Sequence, residues 1–313
     1  MRSGLSPRLV ITEHPRSGRN HLFVVTAENE RWFAKVAASP TESWFYDEVG
    51  AHLTWVPVAA SVDDPLVVVT EHLDGFPTVQ DLEEADPAGA MAVLVALAPA
   101  LAELHSWPVL SPEDMPSAVP PLPQLDPIHA SAWLDSPPSS RLLVERLHRR
   151  ELLCGALREA GAGAGPRGLI HGDLKVDNVL CSPAGPVVLD WELAGHGAVG
   201  WDLGSVVGSI LALWVAGLDI DGASPEAWLE TGLVAYSEVC DAVRQLMADY
   251  QKHTQGAIPS RSTLAAHTAS WMVGRSWAES LFSPRVDPRH LLRFVIAESL
   301  VRSPEALFGE ADR

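Results

Sequence analysis

In the first part of the chain, apolar residues gather in five short runs, 9–12, 21–27, 31–37, 56–62 and 66–71, separated by polar and turn-forming residues. Short apolar runs of this length bounded by turn signals read as strands. Between the third and fourth runs, residues 41–55 read as a helix. Turn-forming clusters punctuate the pattern: Arg16-Ser17-Gly18-Arg19-Asn20, Glu28-Asn29-Glu30 and Asp63-Asp64-Pro65. Together they predict a small antiparallel sheet with one inserted helix.

After Asp74-Gly75 the pattern turns helical. Residues 87–105 are almost continuously apolar, which predicts a deeply buried helix, kinked at Pro99. Proline is dense from 108 to 138, so this stretch is expected to be extended and irregular, and 108–165 to form an insertion. A polar helix is predicted over 139–160. The glycine-rich segment 161–168 (GAGAGPRG) follows a helix and leads into a strand at 169–170. A dinucleotide-binding loop needs the opposite order, so the segment reads as a connector. Two short strands, 178–181 and 187–190, precede helices near 201–216, 225–250, 262–282 and 288–301. The expected chain is α+β with two lobes, 1–73 around the sheet and 74–313 mainly helical.

A hydrophobic content of 47% in 313 residues is ample for a large core. The formal charge of −18, from 40 carboxylates against 22 Lys and Arg, argues against a nucleic-acid partner, because phosphate backbones are met by clustered cations. It agrees with a cationic acceptor, and equally with an acidic surface that serves solubility. The opening residues carry no apolar signal core, and the uncharged runs 88–102 and 203–218 fall short of the roughly 18 residues of a membrane span. No membrane association is therefore expected. Cys154, Cys181 and Cys240 are odd in number and widely spaced, which predicts neither a disulfide framework nor a zinc pair and points to a reducing cytoplasm. The absence of HExxH and GxSxG argues against a zinc enzyme and a serine hydrolase. Most of the eleven tryptophans fall in predicted helices as core residues, leaving one or two for an acceptor cleft.

One run carries the chemistry, 171–180 (HGDLKVDNVL), followed by Asp190. Moving a phosphoryl group requires a triphosphate and metal held in place, a carboxylate at the acceptor hydroxyl and positive charge beside the transferred group. Asp173 and Asn178 stand in one loop between predicted strands, so the first can face a hydroxyl while the second ligates a metal ion. Asp190 ends the apolar strand Pro186-Val187-Val188-Leu189, where its carboxylate reaches the same phosphates through Mg²⁺, a cation suited to hard oxygen ligands.

The segments HGDLKVDNVL and VVLDWELAG resemble the catalytic and metal-binding segments of the aminoglycoside phosphotransferase family, relatives of the protein kinases. The resemblance implies a bilobal protein-kinase-like fold with ATP and Mg²⁺ as cofactors. It implies Asp173 as catalytic base, Asn178 and Asp190 as Mg²⁺ ligands, and His171 as the residue that orders the catalytic loop. Lys175 matches a lysine that protein kinases use near the transferring phosphate, and Asp202, in Gly200-Trp201-Asp202-Leu203-Gly204, matches an aspartate that buttresses the loop. Upstream, Lys35 on the third strand matches the ammonium that holds the α- and β-phosphates, with Glu48 on the next helix as its expected partner. Thr70 and His72 lie where the strand 66–71 would become the hinge that receives adenine. Ser17 and Gly18 lie in the loop expected to cover the phosphates. That loop holds one glycine where protein kinases hold three, and Trp191-Glu192 stands where they have Phe-Gly. Both departures favour the small-molecule branch and speak against activation-loop regulation. Outside 169–204 the resemblance is confined to motifs.

In such a fold the acceptor binds between the catalytic loop and the helices of the larger lobe. One candidate class is a small-molecule antibiotic, such as a cationic aminoglycoside. The other follows from a second resemblance: 200–214 (GWDLGSVVGSILALW) and the ending LLRFVIAESLVRSPEALFGEA are similar to phosphotransferase-like proteins that accompany an effector-like lyase in clusters making ribosomal peptides. Those pairs, of the class V lanthipeptide and thioamitide type, phosphorylate Ser or Thr of a precursor peptide, and the lyase partner eliminates the phosphate. This peptide acceptor is the preferred expectation. The rival class is a pseudokinase scaffold without turnover, which predicts the loss of an essential group; Lys35, Glu48, Asp173, Asn178 and Asp190 are all present.

Overall fold

The structure is a computed structural model and describes residues 9–13, 21–27, 30–37, 39–63, 66–73, 75–108, 115–118, 125, 128–220, 228 and 231–309. Ser17 and Gly18, and parts of the proline-dense stretch, lie outside the described residues.

The N-terminal lobe is a five-stranded antiparallel sheet in the order β1-β2-β3-β5-β4, from Leu9–Glu13 (β1), His21–Ala27 (β2), Glu30–Val36 (β3), Ala59–Asp63 (β4) and Leu66–Glu71 (β5). Strand β3 is central, with Lys35 opposite Leu22 on one side and Val68 on the other. Helix α1, Thr41–Glu48, lies between β3 and β4 in the chain and shares a core with Val68 through Phe45, Tyr46 and Val49. The helix predicted to reach residue 55 therefore stops early. Val49 leaves helical geometry, Gly50–His52 forms one 3₁₀ turn, and Trp55 and Val56 turn inward as core residues. Glycine is a poor helix former, and Gly50 is the point where the chain closes on Tyr46 and Val56.

The larger lobe contains α2 (Val79–Leu82), α3 (Pro87–Val95), α4 (Ala98–His105), α5 (Ala130–Asp135), α6 (Pro138–His148), α7 (Glu151–Gly161), α8 (Val199–Ala216), α9 (Tyr236–His253), α10 (Arg261–Ser280), α11 (Pro288–Arg302) and α12 (Glu305–Phe308). The kink expected at Pro99 is a full break ahead of it, and Pro99 sits in the first turn of α4, where its missing N–H leaves no bond unmade. The single helix predicted over 139–160 is likewise two, α6 and α7, parted at Arg149-Arg150. The connector 161–168 behaves as expected. Gly163 and Gly165 take positive φ, and Ala164 O lies 3.0 Å from His267 Nε2 of α10.

Helix α8 is the axis of this lobe, with every residue from Val199 to Val215 buried. Gly200, Gly204 and Gly208 recur every four residues and so share one helix face. A Cβ on Gly204 would lie 2.8 Å from the Thr268 backbone nitrogen, and on Gly208 2.5 Å from the Trp271 ring, so the three glycines let α10 approach closely. The expectation that both uncharged runs fall short of a membrane span is corrected. Val199–Ala216 and the stretch Pro87–His105 are each long and apolar enough to cross a membrane. Their apolar character has a tertiary cause: 89% of the α8 window is inside the protein, and the other stretch is the broken α3–α4 pair.

Two small antiparallel pairs frame the segment 171–178. β6 (Arg167–Ile170) pairs with β9 (Gly195–Ala198), and β7 (Val179–Ser182) pairs with β8 (Gly185–Val188). The strand predicted to run to Asp190 ends at Val188.

A charged cluster ties α10 to α11. Glu279 receives Arg275 Nε at 2.6 Å and Arg293 Nη1, and lies 3.2 Å from His290 Nε2. Burial alone would push the Glu279 carboxyl up, yet the His290 hydrogen bond and the Arg293 and Arg275 charges hold it at about 2, below its ordinary 4.5. A carboxyl depressed by folding contributes stability in full above its unfolded value and loses it as pH falls through the folded one. The linkage is therefore full above about pH 4.5 and is lost toward pH 2. Glu279→Gln is expected to remove on the order of 2 kcal/mol of pH-dependent stability across that window, after discounting for partial exposure. Acid unfolding followed by circular dichroism checks it: an unchanged acid limb would mean that Glu279 does not carry the linkage.

Candidate active site

The segment 171–178 hangs between β6 and β7 and is fixed from below by Asp202 in the first turn of α8. Both Asp202 carboxylate oxygens are used: Oδ2 accepts the His171 N–H at 2.7 Å and Oδ1 the Gly172 N–H at 3.0 Å. Burial would push the Asp202 carboxyl up, but the hydrogen bonds it accepts from His105 and from the His171 amide hold it below the usual aspartate range. Gly172 has φ +85°, and a Cβ there would lie 2.4 Å from Leu193 O, so the middle residue of His-Gly-Asp has to be glycine. Its carbonyl accepts Trp201 Nε1–H at 2.7 Å.

His171 is fully buried, and its ring joins two loops. Nε2–H donates to Leu189 O at 2.8 Å, while Nδ1 accepts the Asp173 N–H at 3.2 Å. These contacts define the neutral tautomer protonated at Nε2. Histidine thus sets the backbone at Asp173 and at the residue before Asp190. Asn178 Nδ2–H donates to Asp173 O at 2.9 Å, which leaves its side-chain oxygen for a cation. The Leu189 N–H donates to Asn178 O at 2.9 Å. Lys175 Nζ lies 2.6 Å from Asp173 Oδ2, both side chains partly exposed. The structure therefore brings His171, Asp173, Lys175, Asn178 and Asp190 into one site.

Lys35 reaches this site from β3 and is 5% exposed. Its ammonium lies 2.9 Å from Glu42 Oε2, 2.9 Å from Glu192 Oε2, and against Asp190 Oδ1. Burial would lower the Lys35 pKa, but Glu42 and Asp190 hold it above its ordinary value. The expected partner Glu48 is corrected to Glu42. Six residues further along α1, Glu48 lies about 240° around the helix and is exposed, whereas Glu42 shares the inward side with Phe45 and Tyr46. Glu42→Ala is therefore expected to weaken Mg-ATP binding about tenfold or more, and Glu48→Ala by less than twofold, in equilibrium titrations.

Asp190 has φ +65°, a left-handed conformation that aspartate tolerates better than most residues and that stores about 1 kcal/mol or more of strain. What holds it is Trp191. That ring is fully buried, stacked on Phe45 with centroids 3.8 Å apart and 4.5 Å from the His171 ring. With Trp191 anchored in the core, its neighbours Asp190 and Glu192 both turn toward Lys35. Glu192 was not foreseen from the sequence, although its place two residues after Asp190 in Asp-Trp-Glu is the spacing that shares a face.

Thr70 sits inside the β5 ladder, opposite Phe33 on one side and Ala59 on the other. The His72 N–H donates to Arg31 O at 3.2 Å, so that backbone donor is engaged within the sheet.

Three carboxylates share one ammonium around Lys35, and Glu42 is accordingly raised above its ordinary pKa, by burial first and then by Asp190 and Glu192, despite Lys35. Ligand oxygens of Glu42, Asp190 and Glu192 lie within 4.8 Å of one another. Glu42 is buried behind Lys35, while Asp190 and Glu192 are partly exposed. A net excess of negative charge offered through hard oxygen donors fits Mg²⁺.

A lysine–carboxylate pair on a five-stranded sheet, set against a His-Gly-Asp loop and a turn bearing a further carboxylate, defines a kinase-fold phosphotransferase. The model of the phosphotransferase enzyme family matches residues 10–250, and the chain belongs to that family. Among similar solved structures is choline kinase from Cryptosporidium parvum Iowa II, 15% identical over 96% of this chain and 92% of its own, with a TM-score of 0.57. A microcompartment-associated aminopropanol kinase is 17% identical over 96% and 94%, at 0.54. A spectinomycin phosphotransferase, in complex with ADP and spectinomycin, is 10% identical over 96% and 93%, at 0.54. At these identities the likeness is one of fold. No curated protein matches the chain in sequence.

Proposed function

We propose that this chain transfers the γ-phosphate of ATP, with Mg²⁺, to a Ser or Thr hydroxyl of a ribosomally made precursor peptide. The observation that carries the transfer is the gathering of Lys35, Glu42, Asp190 and Glu192 on one side and Asp173 with Lys175 on the other, joined through His171 and Asn178. Lys35, oriented by Glu42, binds the α- and β-phosphates in the cleft between 1–73 and 74–313, with adenine at the rim near Thr70 and His72. Mg²⁺ held by Asn178 and Asp190, with Glu192 beside them, supplies charge neutralisation for the triphosphate. The Asp173 carboxylate orients the acceptor hydroxyl and receives its proton as the new oxygen–phosphorus bond forms and the bond to the β-phosphate oxygen breaks, releasing ADP. Lys175, already paired with Asp173, offsets charge at the transferring group.

The Lys175–Asp173 contact supports the peptide acceptor, since it repeats the lysine placement of kinases that phosphorylate proteins. In this reading a lyase partner then eliminates the phosphate. The second reading, an amine-bearing small molecule such as an aminoglycoside, draws support from the charge of −18 and from the choline, aminopropanol and spectinomycin named for similar folds. The three cysteines are unpaired, which agrees with a cytoplasmic enzyme that meets ATP in a reducing compartment. Incubation with Mg-ATP and a Ser/Thr-rich precursor peptide, and separately with aminoglycosides, followed by mass spectrometry, tests the choice. A phosphate mass increase on the peptide is expected. Transfer to the aminoglycoside alone would move the acceptor to the second reading.

A further inference from the structure

The composition of α3 and its burial do not match. From Pro87 to His105 the only Asp, Glu, Lys or Arg is Glu103, yet 50% of that stretch is inside the protein, against 89% for α8. A helix that is apolar all round is ordinarily covered on every side. On α3, Ala90, Met91 and Leu94 are buried in the core, while Ala88 and Ala92 are exposed.

Helix α9 packs beside α3. Ala88, Met91, Ala92 and Val95 recur at i, i+3, i+4 and i+7, and so do Glu238, Asp241, Ala242 and Gln245, so each set is one helix face. The two faces line a groove of about 440 Å³ that is open to solvent. Its α3 wall is wholly apolar, and its α9 wall carries two exposed carboxylates, Glu238 and Asp241. Glu238 has no ion-pair partner among the described residues. Asp241 meets Arg244 at 2.7 Å, an exposed pair of the kind that contributes little. Glu84 and Asp86, exposed just ahead of α3, add negative charge at one end.

Charge selects what can cover such a groove. A second copy of the chain would bring another −18 and set like charges across the contact. An anionic lipid surface would meet Glu238 and Asp241 with their own sign. A helix with apolar residues at i, i+3, i+4 and i+7 and Lys or Arg along their margin matches both walls, since small alanines let its side chains seat and the carboxylates receive its cations. We propose that the groove between α3 and α9 docks a basic amphipathic helix of a partner protein. None of its lining residues belongs to the Lys35 or Asp173 groups, so this docking stands or falls independently of the transfer reading.

The probe is a fluorescent peptide of about 15 residues, four helical turns, with Leu at i, i+3, i+4 and i+7 and Lys elsewhere; a matched peptide carries Glu in place of Lys. Each is titrated with the full chain by fluorescence anisotropy. Saturable binding of the Leu/Lys peptide is expected, and Ala92→Gln and Glu238→Lys should each weaken it about tenfold or more. Both positions are exposed, and glutamine and lysine are good helix formers, so the fold should tolerate both changes. Glu145→Lys makes the same charge change at an exposed position of α6, which packs against α7, α10 and α11, and at physiological salt it should alter binding less than about twofold. Equal affinity for the Leu/Glu peptide, an equal loss in Glu145→Lys, or no saturable binding would overturn the proposal. Sedimentation velocity of the chain alone and flotation with phosphatidylglycerol vesicles complete the test, with neither association expected. Self-association or vesicle binding that Ala92→Gln abolishes would give the groove to a second copy or to lipid instead.

Discussion

Asp173→Ala is expected to lower the rate of phosphoryl transfer by about 10³-fold, within the 10²–10⁴ range of a positioned acid or base, while Mg-ATP affinity stays the same or rises slightly. The asymmetry follows from the site. Asp173 pairs with Lys175, whereas Lys35 pairs with Glu42, Asp190 and Glu192. The contacts of Asp173 are Lys175 at 2.6 Å and, through its backbone, His171 and Asn178. The backbone contacts survive truncation, so the loop keeps its shape, and a Lys175 released from its partner adds positive charge near the phosphates. Single-turnover transfer with ATP titrated separately checks both halves. Transfer at more than a tenth of the wild-type rate would remove Asp173 from the role of base, and a large loss of nucleotide binding would show that the two sides of the site are coupled.

The second large effect belongs to Asp202. Asp202→Ala leaves the His171 and Gly172 N–H groups and the buried His105 without their acceptor, a loss of about 3–5 kcal/mol by analogy with other broken buried charge networks. Thermal unfolding should show a drop of many degrees, and Asp202→Asn, which keeps one acceptor oxygen, should lie between. The Asp202 carboxyl is held below its ordinary value in the fold, so its contribution is present above the unfolded aspartate value and is lost as pH falls through the folded one. A variant as stable as one altered at an exposed position would mean that the loop is held elsewhere.

Sheet strands and the catalytic run were legible because each leaves a local trace. Short apolar runs bounded by turn residues mark β2 and β5 to within a residue, and the chemistry of His-Gly-Asp is concentrated in ten consecutive positions. Glu42 was not legible in this way. Two glutamates on α1 are equally good candidates in sequence, and only the facing of the helix on the sheet selects the one in its first turn. The α3–α4 break is legible only as a kink at Pro99, and the α6–α7 break not at all, because apolar or helix-favouring composition continues across them and the interruption depends on how each half packs. Strand β9 was missed because Gly195–Ala198 is short and glycine-rich and exists through its pairing with β6.

The sequence by itself determined the reaction class, since phosphoryl transfer needs particular side chains at close spacing in loops whose order along the chain can be read directly. It also determined the sheet-then-helix organisation, through its pattern of apolar runs. Tertiary structure decided which carboxylates surround Lys35, how Trp191 turns Asp190 and Glu192 to the same side, and that Tyr250, His105 and Asp202 form one line across more than 140 residues of chain. Those choices depend on contacts between residues far apart in sequence, where the free energy of packing and buried hydrogen bonds leaves no local pattern to read.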